Sequence, residues 1–528
     1  MKIISLLGVT AAILIGGVSG GVSDAIATTI TINNGDAAGE GFNDTSPVAP
    51  VAGNSGTTLG QQRLNVFQAA ADYWETKLDS DVEIIIDADM SPLSCNSSGG
   101  VLGSAGPESI FRNFGSAPVA DTWFPVALAN SLAGIDIDPE ADIGATFNSA
   151  IDNNDNCLFG MNWSYVIGVP QPAGSIGLYD VVLHEIGHGL GFITFVNEVG
   201  QRAGNPTQSN DHYMRFLHDQ STGKDWTAMD DGERQASSIN NSNLVWTGQM
   251  ANEESVFLAN GLNSGKPQLY APTTYNGGSS VSHWDTTLTP SELMEPFNTP
   301  VNEDWLTIKA FYDMGWKGNP CLETTLPNNK WIMFSLDCVP PTGENTLSDL
   351  FADEITGDYD TVWRVFSYDS STNSYEKPAI GDVLEIGKSY WIIQASGASV
   401  VLDIPRNSHR TPVINSANCT SNQGCFEYAL STESGVNDWN MIGNPFLKTV
   451  DFDELRIVTD SGACASGCSL NEAEGASIVD NKLLSYNSST GLYDPIGNGS
   501  IIPARAGVWL ETLDAADGKN PRILIPYK

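Results

Sequence analysis

Hydrophobic and polar positions change period several times along the first third of the chain, and each change marks an element. "TTITINN" alternates and reads as a short strand. After a Gly/Pro/Asn-rich crossing, "TTLGQQRLNVFQAAADYWETKL" places Leu64, Phe67, Ala71, Trp74 and Leu78 on one helical face. Thr58 and Gln61 form the sequence pattern of a capping box ahead of it. Val82 to Ala88 is a β-branched strand, and "DIGATFNS", Asp142 to Ser149, alternates Ile143, Ala145 and Phe147 as another. Val181, Val182 and Leu183 then lead an apolar helix into His184. Strand, helix, strands and a second buried helix predict an α+β domain with a site beneath a sheet.

From about residue 325 the pattern becomes short Trp- and Tyr-rich strands between Gly, Ser, Asn and Asp turns, which predicts an all-β, sandwich-like region. It repeats. "FSYDSSTNSY" at Phe366–Tyr375 returns as "LSYNSSTGLY" at Leu484–Tyr493, 118 residues on (484 − 366). "GKSYWII" returns as "RAGVWLE" with Trp391 and Trp509 at the same offset, and "KWIMFSLDCVPP" resembles "DWNMIGNPFLK" at a slightly shorter one. The expected division is a domain over 28–320, one β repeat over 325–415 and a second over 416–528.

Composition narrows the setting. With 24 basic against 63 acidic residues the net charge is −39, which argues against nucleic acid and anionic membranes as partners. The 13 Trp and 15 Tyr argue against disorder despite that acidity. One Lys, an apolar run and Ala25-Ile26-Ala27 read as a signal peptide over 1–27, so the mature protein is expected to be secreted. No later segment is long and apolar enough to span a bilayer. The cysteines at 95, 157, 321, 338, 419, 425, 464 and 468 form no C-x-x-C pair. Disulfides are therefore the expectation, and nearest-neighbour pairing (95–157, 321–338, 419–425, 464–468) respects the proposed divisions.

The chemistry sits in "YDVVLHEIGHGLGFITF". His184 and His188 are four apart, so one helix face aims both imidazoles at a single ion, and Glu185 beside them can reach a water on it. Catalytic zinc usually takes three protein ligands plus water. Gly191, just past the second histidine, can end the helix with φ > 0 and turn the chain sharply. Three residues beyond it stands Thr194, so a third ligand must come from elsewhere. No convincing glutamate lies around 205–215, which leaves His212, His218, His283 and His409. His212 and His218 lie six apart in "SNDHYMRFLHDQ", on different faces if it is helical, and read as structural or surface residues. His409 lies in the β region and reads as uninvolved.

H-E-x-x-H-x-x-G-F, a long insertion, S-H-W and then E-L-M-x-P closely resemble the leishmanolysin-like branch of the metzincin zinc peptidases. The resemblance covers roughly residues 28–317, is strong at the metal motifs and is loose elsewhere. It implies His184, His188 and His283 as zinc ligands, Glu185 as general base, Met294 as the residue of a methionine turn beneath the metal, and an insertion over about 198–281. "LTIKAFYDMGW" resembles the final helix of such domains. The implied activity is a zinc-dependent endopeptidase acting on protein or peptide substrates. A substrate would lie extended along an edge strand, with Ile143, Ala145 and Phe147 as the candidate. Two other readings stand beside it: an inert metallo-domain in a surface-binding or adhesion protein, whose β repeats hold a polymer or cell surface, and a zinc hydrolase acting on a non-peptide bond. Calcium at "DIDPEAD" or "DNNDN" is unsupported, because neither has a calcium-loop spacing.

Overall fold

A computed structural model describes residues 28–204, 208–297, 304–318, 321, 324–402, 404–405, 408–421, 423–432 and 438–527. The expected signal peptide over 1–27 lies outside the described residues. The protein is mixed α/β, strand-rich with few helices and many small sheets. No helix among the described residues is long and apolar enough to cross a membrane.

The N-terminal sheet contains β1 (Ile30–Asn34), β2 (Ile84–Ser91), β3 (Gly103–Pro107) and β4 (Ile143–Asn148), in the order β1-β2-β4-β3. The first three in that order run parallel, and β3 is antiparallel to β4. Ile84, Ile86, Ala88 and Met90 alternate inward along β2, as the β-branched run predicts, although the strand begins two residues later than Val82. Helix α1 (Leu59–Glu75) buries Phe67, Ala71 and Trp74 as expected, and Val66 and Ala70 with them. Its cap is half of the predicted box: Thr58 accepts from the Gln61 amide, but Gln61 turns its own carbonyl to Thr57. Helix α2 (Val126–Ala133), which sequence reasoning missed, ends at Gly134 in the left-handed conformation.

Helix α3 (Leu178–Leu190) carries the histidines and lies against both α1 and the sheet. Two of its glycines make that approach possible. A Cβ at Gly189 would stand 2.4 Å from Ile143 on β4, and one at Gly187 would stand 2.7 Å from Met294 Sδ. The Trp74 indole N–H donates to Leu183 O, and that of Trp316 to Leu190 O, so both halves of the helix are fastened from outside.

The substrate-strand expectation is overturned by this arrangement. β4 lies between β2 and β3 and has no free edge, and Ile143, Ala145 and Phe147 are buried core. The free edge beside α3 belongs to β3. The segment "SNDHYMRFLHDQ" is not a helix of two faces either. It is a short strand (Asn210–Asp211), one 3-10 turn (Tyr213–Phe216) and another strand (Leu217–Asp219). His212 is buried, stacked on Phe124 and bonded to Met314 O, while His218 pairs with Asp225. Further along, α4 (Asp231–Ser237) and α5 (Gln249–Glu254) are the helices between His188 and His283. The segment matched to a final helix forms α6, Trp305–Asp313.

In the remainder, β5 (Ile332–Ser335), β6 (Trp363–Asp369), β7 (Ser374–Glu376) and β8 (Ser389–Gln394) form a sheet of order β5-β8-β6-β7. β9 (Asp438–Gly443), β10 (Leu483–Asn487), β11 (Leu492–Ile496) and β12 (Gly507–Thr512) form another of order β9-β12-β10-β11. The sheets exchange reciprocal backbone bonds, Ser335 N–H to Arg505 O and Gly443 N–H to Gly387 O. Met333, Trp391, Met441 and Trp509 form the apolar cluster between them. The disulfides are 95–157, 321–338, 419–425 and 464–468, the nearest-neighbour pairs.

This β region is docked on the N-terminal part. Trp305 of α6 belongs to the same buried cluster as Cys321, Leu326 and Leu350, and the buried Lys309 ammonium donates to Ser408 O. Glu254 of α5, also buried, meets the Arg410 guanidinium at 2.9 Å and His409 at 3.6 Å.

The close packing of α3 gives a stability prediction. Gly189→Ala adds a methyl where Ile143 already stands at 2.4 Å. Alanine's better helix propensity offsets part of the overpacking, leaving a net loss of about 1–2 kcal/mol. A lowered thermal midpoint is expected; an unchanged or raised one would show that Ile143 yields freely.

Candidate metal centre

Three imidazoles converge at the open side of α3. His184 and His188 stand one helical turn apart, and His283 comes from the chain that follows the insertion. Their Nε2 atoms form a triangle with every side 3.1 Å. Each Nδ1 faces a backbone carbonyl: His184 faces Leu293 O at 2.8 Å, His188 faces Phe192 O at 2.9 Å, and His283 faces Ser279 O at 2.8 Å. A carbonyl only accepts, so each Nδ1 carries the ring proton and each Nε2 presents a lone pair. Three lone pairs at 3.1 Å therefore have no hydrogen to share, and the short contacts are not hydrogen bonds.

A cation resolves that conflict. An ion just above the triangle can lie about 2.0–2.1 Å from all three nitrogens, the zinc–imidazole distance, with N–metal–N angles of roughly 100°. Burial pushes the three imidazoles below their ordinary value, to about 4 for His184 and about 3 for His188, and well below it for His283. Neighbouring histidines depress the last two further. The neutral, ligating form is thus the favoured one. Among the described residues this is the one convergence of three or more His, Cys, Asp or Glu side chains suited to a metal. One acid in each stretch considered for calcium has other partners: Asp152 pairs with Arg63 and Tyr165, and Asp142 accepts from Asn130 and the Ile85 amide.

Local backbone explains why the triangle closes. Gly191, at φ +124°, turns the chain off α3, and the Phe192 amide returns to Gly187 O. That turn places the Phe192 carbonyl on His188 Nδ1. Thr194, the residue that raised the question of a missing ligand, donates its amide to Ser282 Oγ and its hydroxyl to Asp211. Ser282 precedes His283, so Thr194 fastens the third histidine's segment to the end of α3. Asp211 anchors this junction by also accepting from the Phe195 and Met214 amides. Burial raises its carboxyl to about 6. Beneath, Met294 is wholly buried against Gly187, and its carbonyl accepts from the Trp284 amide beside His283. Asp211, Ser279 and Thr194 had no signal in the sequence, because their roles follow from long-range approach and not from spacing.

Glu185 Oε2 accepts the Ala105 amide of β3 at 2.8 Å, and burial raises this carboxyl to about 7. The triad and Glu185 line a cleft of about 750 Å³, bordered by Gly100–Ala105 on one side and by Tyr275–Ser280 and Glu292–Phe297 on the other. Because the Ala105 N–H points away from β4, alternation turns Gly103 the same way. The free edge of β3 faces the cleft. His212, His218 and His409 contribute nothing to it. Scanned against protein-family models the chain matches none, and a search of curated proteins returns no match.

The geometry predicts one transition-metal ion per chain by elemental analysis. His283→Ala should weaken binding by more than the ~10–100-fold that loss of an outer-shell partner costs, whereas His212→Ala and His218→Ala should leave occupancy unchanged. A depressed imidazole pKa favours the ligating form, so metal should be retained as pH falls below 6.5 and be lost towards about 4. Loss already complete near 6.5 would show that the histidines titrate as exposed groups do.

Proposed function

We infer that the protein is a secreted zinc endopeptidase. The observation that carries this reading is a set of three neutral imidazoles with a buried carboxyl, Glu185, beside them in a cleft flanked by a free strand edge. Three nitrogen donors with no thiolate or protein carboxylate leave a coordination position open, which is the pattern of catalytic rather than structural zinc. The zinc ion, when bound, supplies a Lewis acid for a carbonyl and lowers the pKa of water towards ~7.

The chain's own residues do the rest. Glu185 is a buried carboxyl beside the three histidines in the same cleft, placed to take a proton from water and return it to a leaving amine. The Ala105 amide holds Oε2, which fixes the carboxyl plane for that transfer. The outward N–H and C=O of Gly103 and the C=O of Ala105 offer an extended peptide the hydrogen bonds of strand addition. This favours a peptide over a compact non-peptide substrate. Two further features fit the reading: four disulfides suit an oxidising, extracellular setting, and the matched strand order of the two β sheets suits two copies of one unit. The arrangement of H-E-x-x-H, Gly191, His283 and Met294 supports the resemblance to a metzincin with a displaced third histidine.

Glu185→Gln separates an enzyme from a metal-binding relic. The amide keeps the side chain's shape and removes the base, so metal content should be unchanged while casein digestion falls by at least ~10²-fold. A chelator should abolish digestion by the native protein. Full activity in the Gln variant, or none in the native protein at full zinc occupancy, would remove the peptidase reading.

A further inference from the structure

The face between the two C-terminal sheets carries a feature that the metal centre does not use. Trp331, Phe366, Tyr375, Trp391 and Tyr486 enclose a cavity of about 320 Å³, open to solvent. A second opening of about 260 Å³ lies beside it, walled by Tyr368, Tyr375, Trp439, Leu484, Tyr493 and Trp509. Trp439 and Trp509 occupy the places in the second sheet that Trp331 and Trp391 occupy in the first, and Leu484 stands where Phe366 does. Only the first opening is aromatic on every side, and Tyr375 is a wall of both.

The rings are not a platform. Trp331 and Trp391 meet at 89°, and Trp391 and Tyr486 at 77° with centroids 4.7 Å apart. Trp331 and Phe366 tilt at 55°. Coplanar rings suit a flat sugar face, whereas rings at right angles form the walls of a box. Sugar hydroxyls also need donors and acceptors, and the indole N–H of Trp391, a wall of the first opening, is buried away from it. No lysine or arginine lines either opening. The chain carries a net charge of −39, which favours a cation over an anion as the ligand.

We propose that the five-ring cavity between the two β sheets is a binding site for a trimethylammonium group. Such a cation presents methyl groups to several ring faces at once, is drawn by their quadrupoles, and leaves no hydrogen bond unmet. The chain's net charge of −39 raises the concentration of cations near its surface. The site stands apart from the metal centre, and its occupancy is independent of the peptidase reading.

The test is a tryptophan-fluorescence titration of the full chain with choline chloride at constant ionic strength. Its comparison is the neutral isostere in which carbon replaces the quaternary nitrogen. A saturable change with half-saturation at about millimolar choline is expected, with the isostere at least ~10-fold weaker. Tyr375→Ala removes a wall that is 54 % exposed and should fold normally, weakening choline about threefold to tenfold. Trp331→Leu is expected to do the same and serves as an independent variant. Sedimentation with phosphatidylcholine vesicles tells the sources apart: cosedimentation assigns a lipid-borne group, and choline binding without it assigns a free or polymer-borne one. An equal response to the neutral isostere, no saturation by ~100 mM choline, or undiminished binding in both variants would overturn the proposal.

Discussion

Three nitrogen lone pairs turned towards one point inside a protein repel one another, and everything around the metal centre exists to hold them there. Each ring is locked through its other nitrogen by a backbone carbonyl, from Leu293, Phe192 and Ser279. A backbone acceptor cannot rotate away or change protonation, so the tautomer is fixed by the fold rather than by pH. The three carbonyls come from three different segments, which makes the histidine triangle a readout of correct tertiary structure. It also means that an ion bound there adds directly to folding stability, since the unfolded chain has no such site.

Holding those segments together requires unusually close packing of α3. Gly187 and Gly189 let Met294 and Ile143 reach the helix backbone, and Trp74 and Trp316 bond to its carbonyls from outside. Glycine in a helix costs about 1 kcal/mol relative to alanine. Here the cost is offset by bringing the sheet, the buried methionine and the ligating helix into direct contact. The same economy of space governs the turn at Gly191, where a positive φ sends the chain back over His188 and on to Thr194. Thr194 and Asp211 then tie the insertion to the ligating helix, so the long excursion between the second and third histidines is anchored at both ends.

The β region is more than an appendage. Lys309 and Glu254, both buried, find their partners in Ser408 and Arg410, and Trp305 shares a core with the first β unit. A buried charge stripped of its partner is strongly destabilising. Helix α6 is therefore stabilised by the β region that follows it, and a break in the chain near 320 would uncover an interface rather than a linker.

Much of this was legible in the chain itself. The four-residue spacing of His184 and His188 is a property of any α-helix, and the apolar approach through Val181, Val182 and Leu183 marked that helix as buried. The offset between Trp391 and Trp509 and the order of the cysteines are likewise facts of the sequence, and the disulfides join nearest neighbours in that order. What the sequence could not settle was adjacency. The alternation of Ile143, Ala145 and Phe147 reports that one face of β4 is buried, but side-chain period carries no information about which strand edges are paired. The true edge, "GSAGP" at β3, has almost no side-chain signal, because its exposed asset is backbone. His283 and His212 are both buried histidines in polar surroundings. Only contacts spanning many tens of residues bring the first into the histidine triangle and leave the second stacked on Phe124.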